Sequence, residues 1–163
     1  MISLLGIISD SHDNLEAIRK AVEFLNTESV DLVIHAGDLI SPFTAPEFRK
    51  LEMKFEAIFG NNDGERDGLR EAYSDITDLS DFKSLQFDGL RIAVIHGHSR
   101  DVLECVVDCG RYDLVVCGHT HRPEISDSGA LTVNPGELCG YLSGKRTLAL
   151  LDTDRLSCEI IEL

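Results

Sequence analysis

Long apolar runs are missing from this sequence. The opening Met1–Ile8 stretch is far short of the roughly 20 residues that span a bilayer, has no basic n-region and passes straight into polar residues. It reads as a strand rather than a targeting or membrane segment. Basic residues are scarce too: 15 Lys and Arg stand against 29 Asp and Glu, and the formal charge of −14 would repel long nucleic acid and anionic membrane surfaces. A small anion remains admissible as a partner, because bound divalent cations invert the field locally. No Cys-x-x-Cys pair occurs among Cys105, Cys109, Cys117, Cys139 and Cys158. Their odd number, without a secretory segment, suits a reducing cytoplasm, and the expectation is buried thiols. Cys105 and Cys109 can share a helix face but lack further zinc ligands nearby. Low-complexity tracts, solenoid-length repeats and linkers rich in Pro, Gly or Ser are also absent. What remains is 163 residues at 43% hydrophobic and 27% charged. That is the make-up of a single domain over residues 1–163, one able to bury about two-thirds of its unfolded surface.

The hydrophobic pattern changes character midway. Ile2–Ile8 is nearly continuous and apolar, as in a strand covered on both faces, and stops at Ser9-Asp10-Ser11-His12. Asp13 or Asn14 can cap the following helix, where Leu15, Ile18, Ala21, Val22 and Leu25 recur at helical spacing. A second buried strand, Val30–His35, ends in Gly37-Asp38. A helix around Thr44–Lys50 then leads to a third strand, Lys54–Phe59, ending in Gly60-Asn61-Asn62-Asp63. Successive strand-helix units imply parallel strands with right-handed crossovers. Beyond residue 80, Asp88-Gly89 between Phe82–Phe87 and Leu90–Ile95 marks a tight antiparallel hairpin. Val102–Cys109 reads as a helix and Asp113–Cys117 as a short strand ending in Gly118-His119-Thr120-His121. Leu131–Val133 leads into Asn134-Pro135-Gly136, and Thr147–Asp152 with Leu156–Ile161 closes the chain as a hairpin. The expected fold class is mixed α/β: two packed sheets covered by helices.

Metal-ligand residue types stand at the C-terminal ends of five of these strands: Asp10 with His12, Asp38, Asn61, His96, and His119 with His121. Taken singly, an Asp-x-His or Gly-Asp is an ordinary turn or cap, and His-x-His an ordinary polar loop. Together they are different. Strand carboxyl ends in an open α/β sheet line one crevice, so these side chains converge, and such a polar crowd is costly unless a cation binds it.

The order Asp10-x-His12, Gly37-Asp38, Gly60-Asn61-x-Asp63, His96-Gly97-His98 and Gly118-His119-x-His121 resembles the calcineurin-like metallophosphoesterase superfamily over residues 10–121. Asn134-Pro135-Gly136 and the Gly60–Arg66 stretch are similar to the small single-domain archaeal and bacterial phosphodiesterases related to the retromer subunit. The resemblance implies a four-layer αββα sandwich, the two mixed sheets flanked by helices. It also implies that Asp10, His12 and His121 bind one metal, that Asn61, His96 and His119 bind another, and that Asp38 bridges them. Two cations about 3.5–4 Å apart lower the pKa of a shared water, which then attacks phosphorus without a side-chain nucleophile. Imidazole, carboxylate and amide ligands without thiolate suit Mn²⁺, with Ni²⁺, Fe²⁺ or Zn²⁺ as alternatives, better than magnesium alone or calcium.

The sequence departs from that pattern at Asn62, where many relatives carry the histidine usually cast as general acid. An amide can hydrogen-bond phosphate but supplies no proton to a departing alkoxide. His98 or water is the alternative proton source, and Asp63 is expected to orient a ligand or that acid rather than bind metal. His35, Arg66 and Arg100 read as structural or surface residues. The implied activity is phosphodiester hydrolysis of small substrates. A phosphomonoesterase or nuclease of the same fold, and a metal-binding scaffold like the retromer subunit, are the competing readings. Neither long nucleic acid nor a membrane is an expected partner; a homodimer is compatible with so small a domain.

Overall fold

The computed structural model describes residues 3–163, so Met1 and Ile2 of the expected first strand lie outside the described residues. The strand β1 (Leu4–Ile8) lies at the centre of a five-stranded sheet. It pairs in parallel with β2 (Leu32–His35), which pairs in parallel with β3 (Lys54–Ala57). On its other side it runs antiparallel to β9 (Thr147–Asp152), which forms the closing hairpin with β10 (Ser157–Glu162). The helix α1 (Leu15–Glu28) joins β1 to β2; the Asn14 side chain caps it by accepting from the Ala17 N–H at 3.1 Å. Ala17, Ile18, Ala21, Val22 and Leu25 form its buried face.

Why the first strands read as unbroken apolar runs is plain from their packing. Leu5, Ile7, Leu32 and Ile34 point to the second sheet, whereas Ile8 and Val33 point to the helices, so in β1 and β2 neither face meets water. The second sheet has the order β4-β5-β6-β8-β7. Its strands are β4 (Phe82–Phe87), β5 (Leu90–Ile95), β6 (Leu114–Val116), β7 (Pro123–Ser126) and β8 (Leu131–Pro135). β5, β6 and β8 are parallel, and the antiparallel β4 and β7 form the edges. Asp88 and Gly89 take φ of 50° and 80° between β4 and β5, as a two-residue hairpin turn with both central φ positive requires. Ile92, Val94, Leu114, Val116 and Val133 meet the first sheet and complete the sandwich.

Several elements depart from the sequence expectation. The helix around Thr44–Lys50 is a one-turn 3₁₀ helix (Pro42–Thr44) running into the short α2 (Ala45–Phe48). Two elements were not anticipated from the sequence: α3 (Arg66–Tyr73), too short to stand out, buries Leu69 and Tyr73, and β7 opens on a proline and is largely exposed. α4 (Arg100–Asp108) is helical as its spacing implies but buries no residue, since it lies outside the two core clusters. Buried thiols were therefore the wrong expectation for Cys105 and Cys109: both are exposed, while Cys117 and Cys139 are buried. Among the described residues, no helix is long and apolar enough to cross a membrane.

Candidate metal centre

The loops leaving β1, β2, β3, β5 and β6 meet at one end of the sandwich, and the expected ligands meet with them. Asp10 and Asp38 are fully buried at its centre. Asp10 Oδ2 accepts from Ser9 Oγ at 2.6 Å and from the His119 N–H at 3.0 Å; among the described residues its Oδ1 has no hydrogen-bond partner. Asp38 Oδ1 accepts from the Asn62 N–H at 2.9 Å and Oδ2 from the Asn62 side-chain amide at 2.8 Å. The Nε2 atoms of His12 and His96 face Asp38 Oδ2 at 3.3 and 3.4 Å, and neither makes a hydrogen bond. Facing Asp10 Oδ1 are the Nε2 atoms of His121 at 3.2 Å and His12 at 3.6 Å.

Asp10, His12, Asp38 and His121 bring ligand atoms within 4.8 Å of one another. On the other side of Asp38, the rings of His96 and His119 lie 5.3 Å apart, and His119 Nδ1 is 3.0 Å from Asn61 Oδ1. His98 is exposed, its ring 6.0 Å from that of His96 and 6.2 Å from that of His119.

Hydrogen-bond accounting tests whether this set fits a cation. His96 Nδ1 sits 2.7 Å from the Ala36 carbonyl, which can only accept, so the ring proton is there and Nε2 turns a lone pair towards Asp38. Lone pairs facing carboxylate oxygens repel unless something positive lies between them. The 3.2–3.6 Å separations suit that occupant: ligands held at about 2.1 Å around a tetrahedral or octahedral ion lie about 3.0–3.4 Å apart. The residues fit a divalent cation. Without one, protons serve in part. Burial disfavours the charged form of His12, yet the carboxylates of Asp10 and Asp38 outweigh it and raise its pKa to about 9. His96 is likewise raised by Asp38 against its burial. Asp38, despite burial, is held far below the carboxylate range by His12, His96 and Asn62. His119 is lowered by its burial and by neighbouring His96.

The backbone around the ligands is locally costly. Asp10, His12, Asp38, His119 and His121 all have positive φ, between 41° and 71°, a conformation rare outside glycine. Gly60 and Gly118 permit the close approach: a Cβ on Gly60 would strike the Asp38 carboxylate, and one on Gly118 would lie 2.6 Å from Asp10 Oδ2.

The other singled-out residues separate clearly. Asp63 turns away from the ligands, its 3% exposed carboxylate accepting from the N–H groups of Asp38 at 3.0 Å, Ile40 at 2.7 Å and Gly60 at 2.7 Å. It splints the loops that carry Asp38 and Asn61. His35 is structural: fully buried, it accepts from the Gly37 N–H through Nδ1 and donates from Nε2 to Ser11 Oγ at 2.9 Å. Burial pushes its pKa down to about 3. Arg66 and Arg100 pair with Asp81 and Glu104, each at 2.7 Å, and are surface residues. Asn134 braces the His119–His121 loop by donating to the Gly118 carbonyl at 2.8 Å and to Thr120 Oγ1 at 3.0 Å. Sequence reading missed Glu137, whose Oε2 accepts from His121 Nδ1 at 2.7 Å. A single acid after a Pro-Gly turn carried no signal for that role.

Comparison with known proteins agrees with this geometry. A family model described as the calcineurin-like phosphoesterase superfamily domain matches residues 4–156. A phosphodiesterase of Methanocaldococcus jannaschii is 46% identical over 157 residues, which cover 93% of each chain. A solved structure characterised as an archaeal phosphodiesterase is 44% identical, with a TM-score of 0.93 over 98% of this chain and 99% of that one. Vps29 of Entamoeba histolytica aligns with a TM-score of 0.69 over 98% of this chain and 99% of its own, at 20% identity, a likeness of fold alone.

Proposed function

This chain belongs to the calcineurin-like phosphoesterase superfamily, and from that premise we propose that it is a metal-dependent phosphodiesterase of small diesters. The observation that carries the reading is the set of buried, unpartnered atoms, Asp10 Oδ1, His12 Nε2 and His96 Nε2, gathered about two carboxylates. Two divalent cations bound there would supply Lewis acidity towards phosphoryl oxygens and a water acidic enough to attack near neutral pH. Asp10, His12 and His121 would hold one, Asn61, His96 and His119 the other, and Asp38 both. Mn²⁺ is our choice of ion, with Ni²⁺, Fe²⁺ or Zn²⁺ tolerated by the same donor set.

The chain's own residues take definite parts. Asn62 is spent on Asp38: both its backbone N–H and its amide donate to that carboxylate, so it orients the shared ligand and gives no proton. Asp63 keeps the Asp38 and Asn61 loops in register through three backbone N–H groups. His98 is the exposed ring left to protonate a leaving group. The chain's charge of −14 favours small substrates over nucleic acid. The same reading makes the protein a single-domain enzyme of the reducing cytoplasm, all five cysteines free, as a monomer or homodimer.

Hydrolysis of bis(p-nitrophenyl) phosphate by chelated protein reconstituted with Mn²⁺, Ni²⁺, Zn²⁺ or Mg²⁺ tests the proposal, with p-nitrophenyl phosphate alongside. Metal-restored diester cleavage, lost in Asp38→Ala, is the expected result. A faster monoester rate would make the protein a phosphatase, and silence with every metal would favour a scaffold.

A further inference from the structure

Glu137 is fully buried, and among the described residues its only ionic partner is His121. Every group that meets its carboxylate is a donor. Oε2 accepts from His121 Nδ1 at 2.7 Å and from the Cys139 thiol at 3.2 Å. Oε1 accepts from the Leu142 N–H at 3.0 Å, the Ser143 hydroxyl at 2.6 Å and the Ser143 N–H. Met by donors on both oxygens, the carboxylate acts as an acceptor, so a neutral His121 ring carries its proton on Nδ1 and presents the Nε2 lone pair to Asp10 Oδ1 at 3.2 Å.

We propose that Glu137 is a positioning residue that selects the tautomer and ring orientation of His121, making its Nε2 a cation ligand. The assignment rests on the metal-centre reading above. The donors on Oε1 serve this end: they anchor the carboxylate from the Tyr141–Ser143 side, so that it cannot turn away from the ring. Glutamine tests the idea because it has the same shape and only one accepting oxygen. With that oxygen towards the Ser143 loop, its NH₂ faces His121 and drives the ring proton to Nε2, blocking the ligand. The opposite rotamer sets the NH₂ against the N–H groups of Leu142 and Ser143, which are likewise donors.

The test compares wild type, Glu137→Gln and Ser143→Ala by Mn²⁺ binding in equilibrium dialysis. In parallel, the His121 tautomer is read by ¹⁵N NMR of the metal-free proteins at about pH 8.5, above the ordinary histidine range. Wild type is expected to bind two Mn²⁺ and to show the proton on Nδ1. Glu137→Gln should fold, lose about 10–100-fold in affinity for one of the two ions and show the Nε2–H form. Ser143→Ala, which keeps the carboxylate and the backbone donors, should retain affinity within about threefold. Equal Mn²⁺ affinity in wild type and Glu137→Gln would overturn the proposal, as would an Nε2–H ring in wild type. If wild type binds no Mn²⁺, the metal-centre reading itself fails, and the wild-type tautomer still decides what Glu137 does to His121.

Discussion

Replacing Asp63 by alanine would separate a splint from a catalytic group. The three N–H donors it receives belong to backbone that is buried at Asp38 and Gly60 and half-buried at Ile40, and Asp63 itself is 3% exposed. Each buried donor left without an acceptor costs about 1–3 kcal/mol, and costs within one network do not simply add. We therefore expect Asp63→Ala to lose about 4 kcal/mol, which for a chain of this size lowers Tm by about 8–16 °C. Asn should be gentler. Burial, with Asp38 nearby, raises the pKa of Asp63 in spite of its three donors, so the buried charge itself costs something. Asparagine removes that charge while turning one acceptor into a donor that faces an N–H. The two effects offset, leaving a loss of about 1 kcal/mol, or about 2–4 °C. Thermal unfolding of the metal-free proteins by circular dichroism measures both. If Asp63→Ala melted no lower than Asp63→Asn while its diesterase activity vanished, Asp63 would act on the chemistry and the splint argument would be wrong.

Metal binding should release protons, because His12 is held protonated to about 9 by Asp10 and Asp38 and can ligate only when neutral. Mn²⁺ affinity should thus climb with pH and level off above about 9, and calorimetry in buffers of differing ionisation enthalpy should detect the proton; equal apparent enthalpies in every buffer would contradict this. By linkage, the raised pKa of His12 stabilises metal-free protein below the unfolded value of 6.5, and this contribution fades as pH rises through about 9. Chemical denaturation of chelated protein across that range checks the sign. Since Asn62 supplies no proton, the leaving group relies on His98: His98→Ala should make cleavage depend steeply on leaving-group pKa, and Asn62→His in that background should accelerate alkyl diesters by about 10²-fold or more with little change for nitrophenyl esters. A shallow dependence in His98→Ala would remove that argument.

The extent to which this molecule can be read from its residues follows from burial. β1 and β2 are covered on both faces, so their apolar runs stand out; α1 is covered on one, so its spacing does. α3 and β7 bury too little to mark the sequence, and α4 keeps helical spacing although no residue on it is buried. The candidate ligands could be picked out because each stands at or just beyond a strand end, where convergence is a property of the sheet rather than of side chains. Contacts between loops were not. That Asn62 donates to Asp38, that Asp63 faces backbone rather than ligands, and that Glu137 holds His121 all depend on loop conformations with positive φ that residue types do not announce.

The most direct test of the account is a titration of metal-free protein with Mn²⁺ in which bound metal and bis(p-nitrophenyl) phosphate hydrolysis are recorded on the same samples. Activity that rises with occupancy and saturates at two ions per chain, with Asp38→Ala binding fewer and remaining inert, is the predicted result. Full activity in the metal-free protein, or two bound ions with no diester cleavage, would contradict it.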